Sequence, residues 1–399
     1  MYLYILKSLY YFLAFLFPFG SANFMDLDKF AEEVEGEQNS FLPIVYGLCL
    51  IFSLLSPTVR EKFKYTKSLI LPLIIFYIAI SLAELFYGST IDYMFYLKLI
   101  VAITGFIVIA QTFIAYPSLL KESLLIYAYV SSLIIIAFLL GFLENSYYFS
   151  NDRLWFLGVN PNTYSFMMGF ASIVLVYYNQ SLTKKYLILL NYILTILLIY
   201  FVILTGSRGS LLFLFLAFGI IFYKKIHIFI LISLIIPFII SIFHTTVEQE
   251  IVVFDRISEL QKGGDPREKL IEQTLSIFEE YPILGAGSTG YKEQMLNLYQ
   301  ENKDSHNLLV SSLALSGFLG TLALIYFLIN LFIQSIQKSK YRLISSTIFL
   351  FMFMVSMKTG SILTYSLMWY IFSIVLALNI IGRKNTNLEE GISYGSKPQ

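Results

Sequence analysis

The residues best suited to chemistry are arginines set at helix starts, with one histidine among them. Arg208 lies in Thr205-Gly206-Ser207-Arg208-Gly209-Ser210, a break that opens an apolar run and puts Ser207 and Arg208 at a helix N-terminus. Arg153 shortly precedes Asn160-Pro161-Asn162, which opens a second run in the same sense, and Asp304-Ser305-His306-Asn307 opens a third. Arg267 falls in the first turn of an amphipathic helix whose start is marked by Asp265-Pro266. Helix N-termini carry unpaired N–H groups and the positive end of the macrodipole, so cations such as Arg267 and Lys269 in a first turn oppose the local field. That opposition makes sense where an anion is to be held, with backbone N–H groups and guanidinium pointing the same way. Arg153, Arg208, Arg267 and His306 together predict a cradle for a phosphate or diphosphate. His306, with an ordinary pKa of about 6.5, suits a general base or a hydrogen-bond donor.

Each element also has a plainer reading. Asn-Pro-Asn is a cap, Gly-Ser-Arg-Gly is a turn, and an arginine near a membrane surface snorkels. Arg267 has Glu268 and Glu272 for company, and a lone histidine is commonly structural. The three histidines, His227, His244 and His306, have no metal-ligand spacing. No Ser-His-Asp order, P-loop or dinucleotide fingerprint appears. The one cysteine, Cys49, sits in an apolar run, which excludes an intramolecular disulfide framework and a cysteine-cluster metal site.

The elements that must position these residues are membrane helices. Of 399 residues 57% are hydrophobic and only 13% charged, against about 25% charged in ordinary soluble domains. Mean hydropathy is +0.73. Soluble, disordered and fibrous classes are excluded, and with no large basic patch nucleic acid is not a partner. The fold class read from this is an all-α polytopic membrane protein in the lipid bilayer. Apolar runs at 3–23, 41–56, 68–88, 97–116, 123–143, 161–178, 187–204, 210–223, 226–243, 307–333, 343–357 and 361–381 predict about twelve transmembrane helices. The runs at 210–223 and 343–357 are short enough to be tilted or re-entrant. The first run holds Lys7 and has no basic head before it, so it reads as a retained span rather than a signal peptide.

Alternate connections carry fifteen Lys and Arg, among them Arg60, Lys62, Lys184, Lys185, Lys338 and Lys340; the opposite short loops carry five. By the positive-inside rule the first set is cytoplasmic, and so are both termini. Two external segments exceed a minimal turn. Residues 26–37 hold six acids and one lysine, which reads as a solvated acidic loop. Residues 244–306, between the ninth and tenth helices, run for 63 residues with twelve acids and six bases, and a loop of that length in a compact protein is usually functional. The organisation expected is a membrane domain over 1–382, containing the large extracytoplasmic loop 244–306, and a cytoplasmic tail over 383–399. Within the loop, Leu270, Thr274, Ile277, Phe278 and Tyr281 share one helical face, Pro282 stops the helix, and Gly285, Gly287 and Gly290 make a tight turn region.

These motifs in this order resemble the O-antigen ligase and polysaccharide polymerase superfamily. Thr205–Ser210 is similar to that family's Gly-Ser-Arg-Gly signature before an apolar helix, and Asn160-Pro161-Asn162 to its Asn-Pro-Asn opening of the central helices. Arg256, Arg267, the amphipathic helix, Pro282-Ile283-Leu284-Gly285-Ala286-Gly287, His306-Asn307 and Ser316-Gly317-Phe318-Leu319-Gly320 follow in the family's sequence. The resemblance covers about residues 160–320. It departs in two places: Leu270 to Gln273 contain no Trp where the family often has one, and Ser316 rather than Glu precedes Gly317.

The resemblance implies glycosyl transfer on the external face of a bacterial cytoplasmic (inner) membrane, from a polyprenyl-diphosphate-linked glycan donor to a glycan acceptor. It implies no metal or other cofactor. In that reading Arg208 and Arg267 hold the diphosphate with Arg153 or Arg256 as helpers, and Asn160, Asn162, Ser207 and Asn307 line the substrate. His306 orients or deprotonates the acceptor hydroxyl. A flippase and a chain-length regulator are the further partners implied. The favoured product is a longer lipid-linked polysaccharide, hence a polymerase. A ligase moving the finished chain to lipid A core or another acceptor is the alternative. A lipid-linked oligosaccharide flippase is the alternative from another class, disfavoured because its polar groups would belong near the midplane.

Overall fold

The computed structural model describes residues 1–19, 41–143, 146–150, 153–157, 159–224, 266–300, 304–359 and 362–394. The helices are α1 (Tyr2–Leu16), α2 (Phe41–Leu55), α3 (Pro57–Arg60), α4 (Lys67–Tyr87), α5 (Tyr93–Ala115) and α6 (Pro117–Leu139). A hairpin of β1 (Tyr147–Ser150) and β2 (Arg153–Phe156) precedes α7 (Pro161–Asn179), α8 (Lys185–Leu204) and α9 (Arg208–Ile221). Then come α10 (Pro266–Glu280), α11 (Gly287–Tyr299), α12 (Leu308–Ile336), α13 (Arg342–Ser356) and α14 (Ser366–Tyr394).

Among the described residues seven helices are long and apolar enough to cross a bilayer, or eight if the bent pair Leu42–Leu55 and Pro57–Tyr65 is one span. The protein is therefore an all-α, multi-pass membrane protein with one small hairpin. Of the twelve runs expected to span, four are not among these eight. The ninth run, 226–243, lies outside the described residues, as do the acidic segment 26–37 and the first part of the large loop, 244–265. The two short runs are short helices, Arg208–Ile221 and Arg342–Ser356. The sixth, α7, carries Asn162, Thr163, Ser165, Ser172 and Asn179, which dilute its hydropathy, and it is buried almost all round. At the C-terminus α14 passes residue 382 without a break and continues to Tyr394. Along α4 one side is buried through Phe76, Ile80 and Ala83, while Leu71, Ile74 and Ile78 stand exposed, the two-sided apolar surface of a lipid-facing helix.

The chain divides into two compact units, one of Met1–Phe52 with Ser118–Gly263, the other of Ser53–Pro117 with Gly264–Gln399. In the first unit α7 packs on α8 and α9. The hairpin lies against the ends of these helices through Phe156, whose ring meets Phe138 of α6 at 5.6 Å and Phe201 of α8 at 5.2 Å. Its strands pair in register, Ser150 opposite Arg153, with Leu154 and Phe156 buried and Trp155 stacked on Tyr148.

In the second unit α12 packs along α4, and α14 along α5. In its first half α12 is broken at Gly317, where φ is +59° and ψ −162°. The break is closed by the turn between α10 and α11. The Phe318 N–H donates to the Pro282 carbonyl at 2.8 Å and the Leu319 N–H to Ile283 at 3.2 Å, while the Ala314 carbonyl accepts from the Ala286 N–H at 2.7 Å. Thus the helical bond from Phe318 to Ala314 is lost and both of its groups find partners in the same turn. In an apolar setting each orphaned backbone group would cost about 1–3 kcal/mol. The approach is backbone to backbone. A Cβ on Gly285, which has φ +77°, would lie 2.5 Å from the nitrogens of Ser316 and Gly317. Pro282–Gly287 and Ser316–Gly320, read as separate motifs, are the two halves of one seam.

Candidate functional site

The first unit gathers Arg153, Asn160, Asn162, Ser207 and Arg208. The hairpin delivers Arg153, whose Nε donates to the Thr205 carbonyl at 3.1 Å and whose Nη2 donates to Asn162 Oδ1 at 2.7 Å. Its stem crosses Gly206, where a Cβ would meet the Arg153 Cγ at 3.2 Å. Asn160 caps α7, its Oδ1 accepting from the Asn162 N–H at 2.9 Å. One guanidinium thus ties the start of α7 to the turn that starts α9. Ser207 is the N-cap residue of α9 but makes no side-chain cap, its hydroxyl bonding instead to Ser210 Oγ at 3.0 Å. The first turn of α9 therefore lacks a side-chain acceptor from its N-cap, and it carries Arg208, half-buried. Such a terminus is suited to an anion.

The second unit holds Arg267, His306 and Asn307. Arg267 is half-buried in the first turn of α10, next to Glu268, and that helix buries Leu270, Thr274 and Ile277 on the face expected for them. Asn307 caps α12, with its Oδ1 accepting from the N–H groups of Leu309 and Val310, each at 3.1 Å. His306 is half-buried and has φ +53°, a left-handed conformation unusual for a residue other than glycine. Asp304 holds it there, its Oδ1 accepting the His306 main-chain N–H at 2.6 Å. The histidine ring is thus carried on a constrained turn at the head of a broken helix.

Two carboxylates unnoticed as site residues fix α11 beside it. Glu84, buried near the end of α4, accepts the Thr289 N–H at 3.0 Å and the Asp92 N–H at 3.1 Å, with the Thr289 hydroxyl at 2.9 Å. A carboxylate against the first turn of α11 also complements its dipole. Asp92 caps α5 through the Phe95 N–H at 3.0 Å, receives Lys292 Nζ at 2.6 Å and lies 3.2 Å from Ser288 Oγ. Burial alone would raise the Asp92 pKa, but the bonds from Lys292, Phe95 and Ser288 outweigh it and leave the carboxyl below its ordinary value. Tyr291 of α11 shares a bond of 3.1 Å with Thr274 of α10, and burial pushes its phenol up to about 12, so it stays protonated at neutral pH. A cavity of about 360 Å³ opens between these groups and Asp304.

The structure thus brings Arg153, Asn160, Asn162, Ser207 and Arg208 into one cluster, and sets His306 and Asn307 at one helix start in the other unit with Arg267 on α10. Arg256 and Asp265 lie outside the described residues. The hairpin was not foreseen, although Tyr-Tyr-Phe-Ser-Asn-Asp-Arg-Leu-Trp-Phe has the aromatic strands and two-residue polar turn that would have announced it. Glu84 had one signal, an acid at the end of an apolar run. Asp92 and Lys292, two hundred residues apart, had none.

No curated protein matches the chain. Residues 193–325 match a family model described as O-antigen ligase, a stretch that contains Arg208, Arg267, the seam and His306. The match supports a function of the O-antigen ligase or polymerase type in general terms. Over that stretch the sequence is similar to the O-antigen ligase family and is consistent with the O-antigen ligase and polysaccharide polymerase superfamily.

Proposed function

We propose that the protein is a polyprenyl-diphosphate-dependent glycosyltransferase that joins lipid-linked repeat units into surface polysaccharide at the external face of the cytoplasmic membrane. The observation that carries this reading is the Arg153–Asn162–Thr205 frame around the start of α9, because it supports a preorganised anion site next to Arg208. In the reaction an acceptor hydroxyl oxygen attacks the anomeric carbon of the donor glycan. The bond from that carbon to the diphosphate oxygen breaks, and the lipid diphosphate leaves with the electron pair. Arg208 and Arg267, helped by Arg153 or Arg256, offset the charge that develops on the leaving group, which is electrostatic catalysis. His306 takes the hydroxyl proton. Asn160, Asn162, Ser207 and Asn307 line the substrate. A ligase that transfers the finished chain is the second reading, favoured by the description of the matching family.

A deletion strain tests the reaction. Loss of a polymerase leaves single repeat units on the cell surface. Full-length glycan stranded on its lipid carrier would select the ligase instead, and substrate trapped inside the cell would select a flippase.

The compartment is tested separately. The fifteen-to-five distribution of Lys and Arg predicts that reporters fused at Lys185 or Lys340 read cytoplasmic and a reporter at Asp265 reads external. Cytoplasmic labelling at Asp265 would place the proposed chemistry in the wrong compartment.

A further inference from the structure

We infer that the cavity between the α4–α5 turn, α11 and the head of α12 is the subsite for the acceptor glycan, recognised as a hydroxyl-rich saccharide end without net negative charge. This inference rests on the transferase reading above. The cavity measures about 360 Å³, within the range of about 300–1,000 Å³ common for small-molecule sites. Its polar lining includes Asp92, Lys98, Tyr291, Lys292 and Asp304, with Phe95 on the wall. Two carboxylates and two ammonium groups cancel, so the cavity has no excess positive charge with which to draw a diphosphate. The arginine cluster around Arg208, by contrast, has no acid among its named members.

What such a lining does suit is a sugar. Ionised carboxylates accept hydrogen bonds from hydroxyls, ammonium groups donate to ring and hydroxyl oxygens, and the aromatic rings offer apolar faces to the C–H surface of the pyranose. Asp92, already bound to Lys292, presents a carboxylate at neutral pH, and Tyr291 presents an intact hydroxyl. Lys98 is exposed and makes no ion pair among the described residues, so its ammonium is available to a ligand. The cavity also connects to the proposed base. Asp304 lines it while holding the His306 N–H through Oδ1, so a saccharide bound there lies against the turn that carries the histidine. Acceptor binding and His306 geometry are thereby linked through one carboxylate.

The test uses the full-length protein in lipid nanodiscs and two probes. One is the repeat-unit oligosaccharide released from its lipid carrier by mild acid. The other is farnesyl diphosphate, which carries the anion without sugar. Lys98→Ala removes the available donor, and Met94→Trp narrows the cavity from its exposed rim. The wild-type protein is expected to bind the oligosaccharide saturably, with at least tenfold weaker binding in Lys98→Ala and none in Met94→Trp. Farnesyl diphosphate affinity should stay within about twofold in both. Absence of saturable oligosaccharide binding, or equal binding by wild type and Lys98→Ala, would overturn the inference. If binding follows the variants yet the wild-type protein extends no glycan, the cavity stands as a saccharide site and the transferase reading falls instead.

Discussion

Arg208→Lys is expected to lower glycan extension roughly 30- to 1000-fold while leaving the protein folded and inserted. Lysine keeps the charge and has nearly the same helix propensity, so the first turn of α9 should form as before. What is lost is the planar fork that contacts two phosphate oxygens at once, a loss of about 2–4 kcal/mol of transition-state stabilisation if Arg208 holds the leaving diphosphate. An arginine that merely snorkels would be replaced by lysine at little cost, and extension by the purified variant would then match wild type at equal protein level. His306 is best tested by His306→Asn rather than His306→Ala. Asparagine tolerates the left-handed backbone found at this position, whereas alanine adds strain of its own. Extension should fall at least as far as in Arg208→Lys, with binding of the lipid-diphosphate donor retained.

Gly285→Ala is expected to cost most of the folded protein. The new methyl would lie within 2.5 Å of main-chain nitrogens of Ser316 and Gly317, and no rotamer can remove a Cβ from backbone. The residue must also keep φ +77°, which costs a non-glycine residue about 1–2 kcal/mol. Relief requires the turn to withdraw from α12, which leaves Phe318 N–H, Leu319 N–H and Ala314 C=O without partners. The combined loss should exceed about 4 kcal/mol, the range reserved for defects of this kind. Thermal unfolding in detergent should show a collapse of the folded fraction. Gly219→Ala is the control, because nothing lies within 4 Å of its added Cβ and alanine favours a helix interior. Equal thermal stability of the two variants would mean that the seam does not hold α12 together.

What could be read from the sequence divides along physical lines. The face of α10 was legible because Leu270, Thr274 and Ile277 repeat with helical period and Pro282 ends the pattern. The cap Asn160 was legible because capping is a local bond two residues long, and Asp304–Asn307 was legible as a helix start, though not Asn307 as its cap. The break at Gly317 was not, because Ser316-Gly317-Phe318-Leu319-Gly320 reads as ordinary apolar helix until the turn at Pro282–Ala286 comes to meet it. The same limit hid the contact of Glu84 with Thr289 and the ion pair of Asp92 with Lys292, since side chains that meet only through the fold leave no periodic trace. Arg153 was placed near a helix start by sequence, but its bond to Thr205 depends on the hairpin that carries it across Gly206. The sixth run is weakly apolar because polarity and burial coincide along α7, whose Ser165, Ser172 and Asn179 are buried within the protein.

The most direct measurement is reconstitution of the purified protein with polyprenyl-diphosphate-linked repeat units as the only glycan, without nucleotide sugar. A polymerase gives a ladder of lengthened lipid-linked chains, and one free polyprenyl diphosphate is released for each bond formed. A preparation that is folded and binds the donor, yet yields neither ladder nor free lipid diphosphate, would contradict the assignment of this chain as a polymerase.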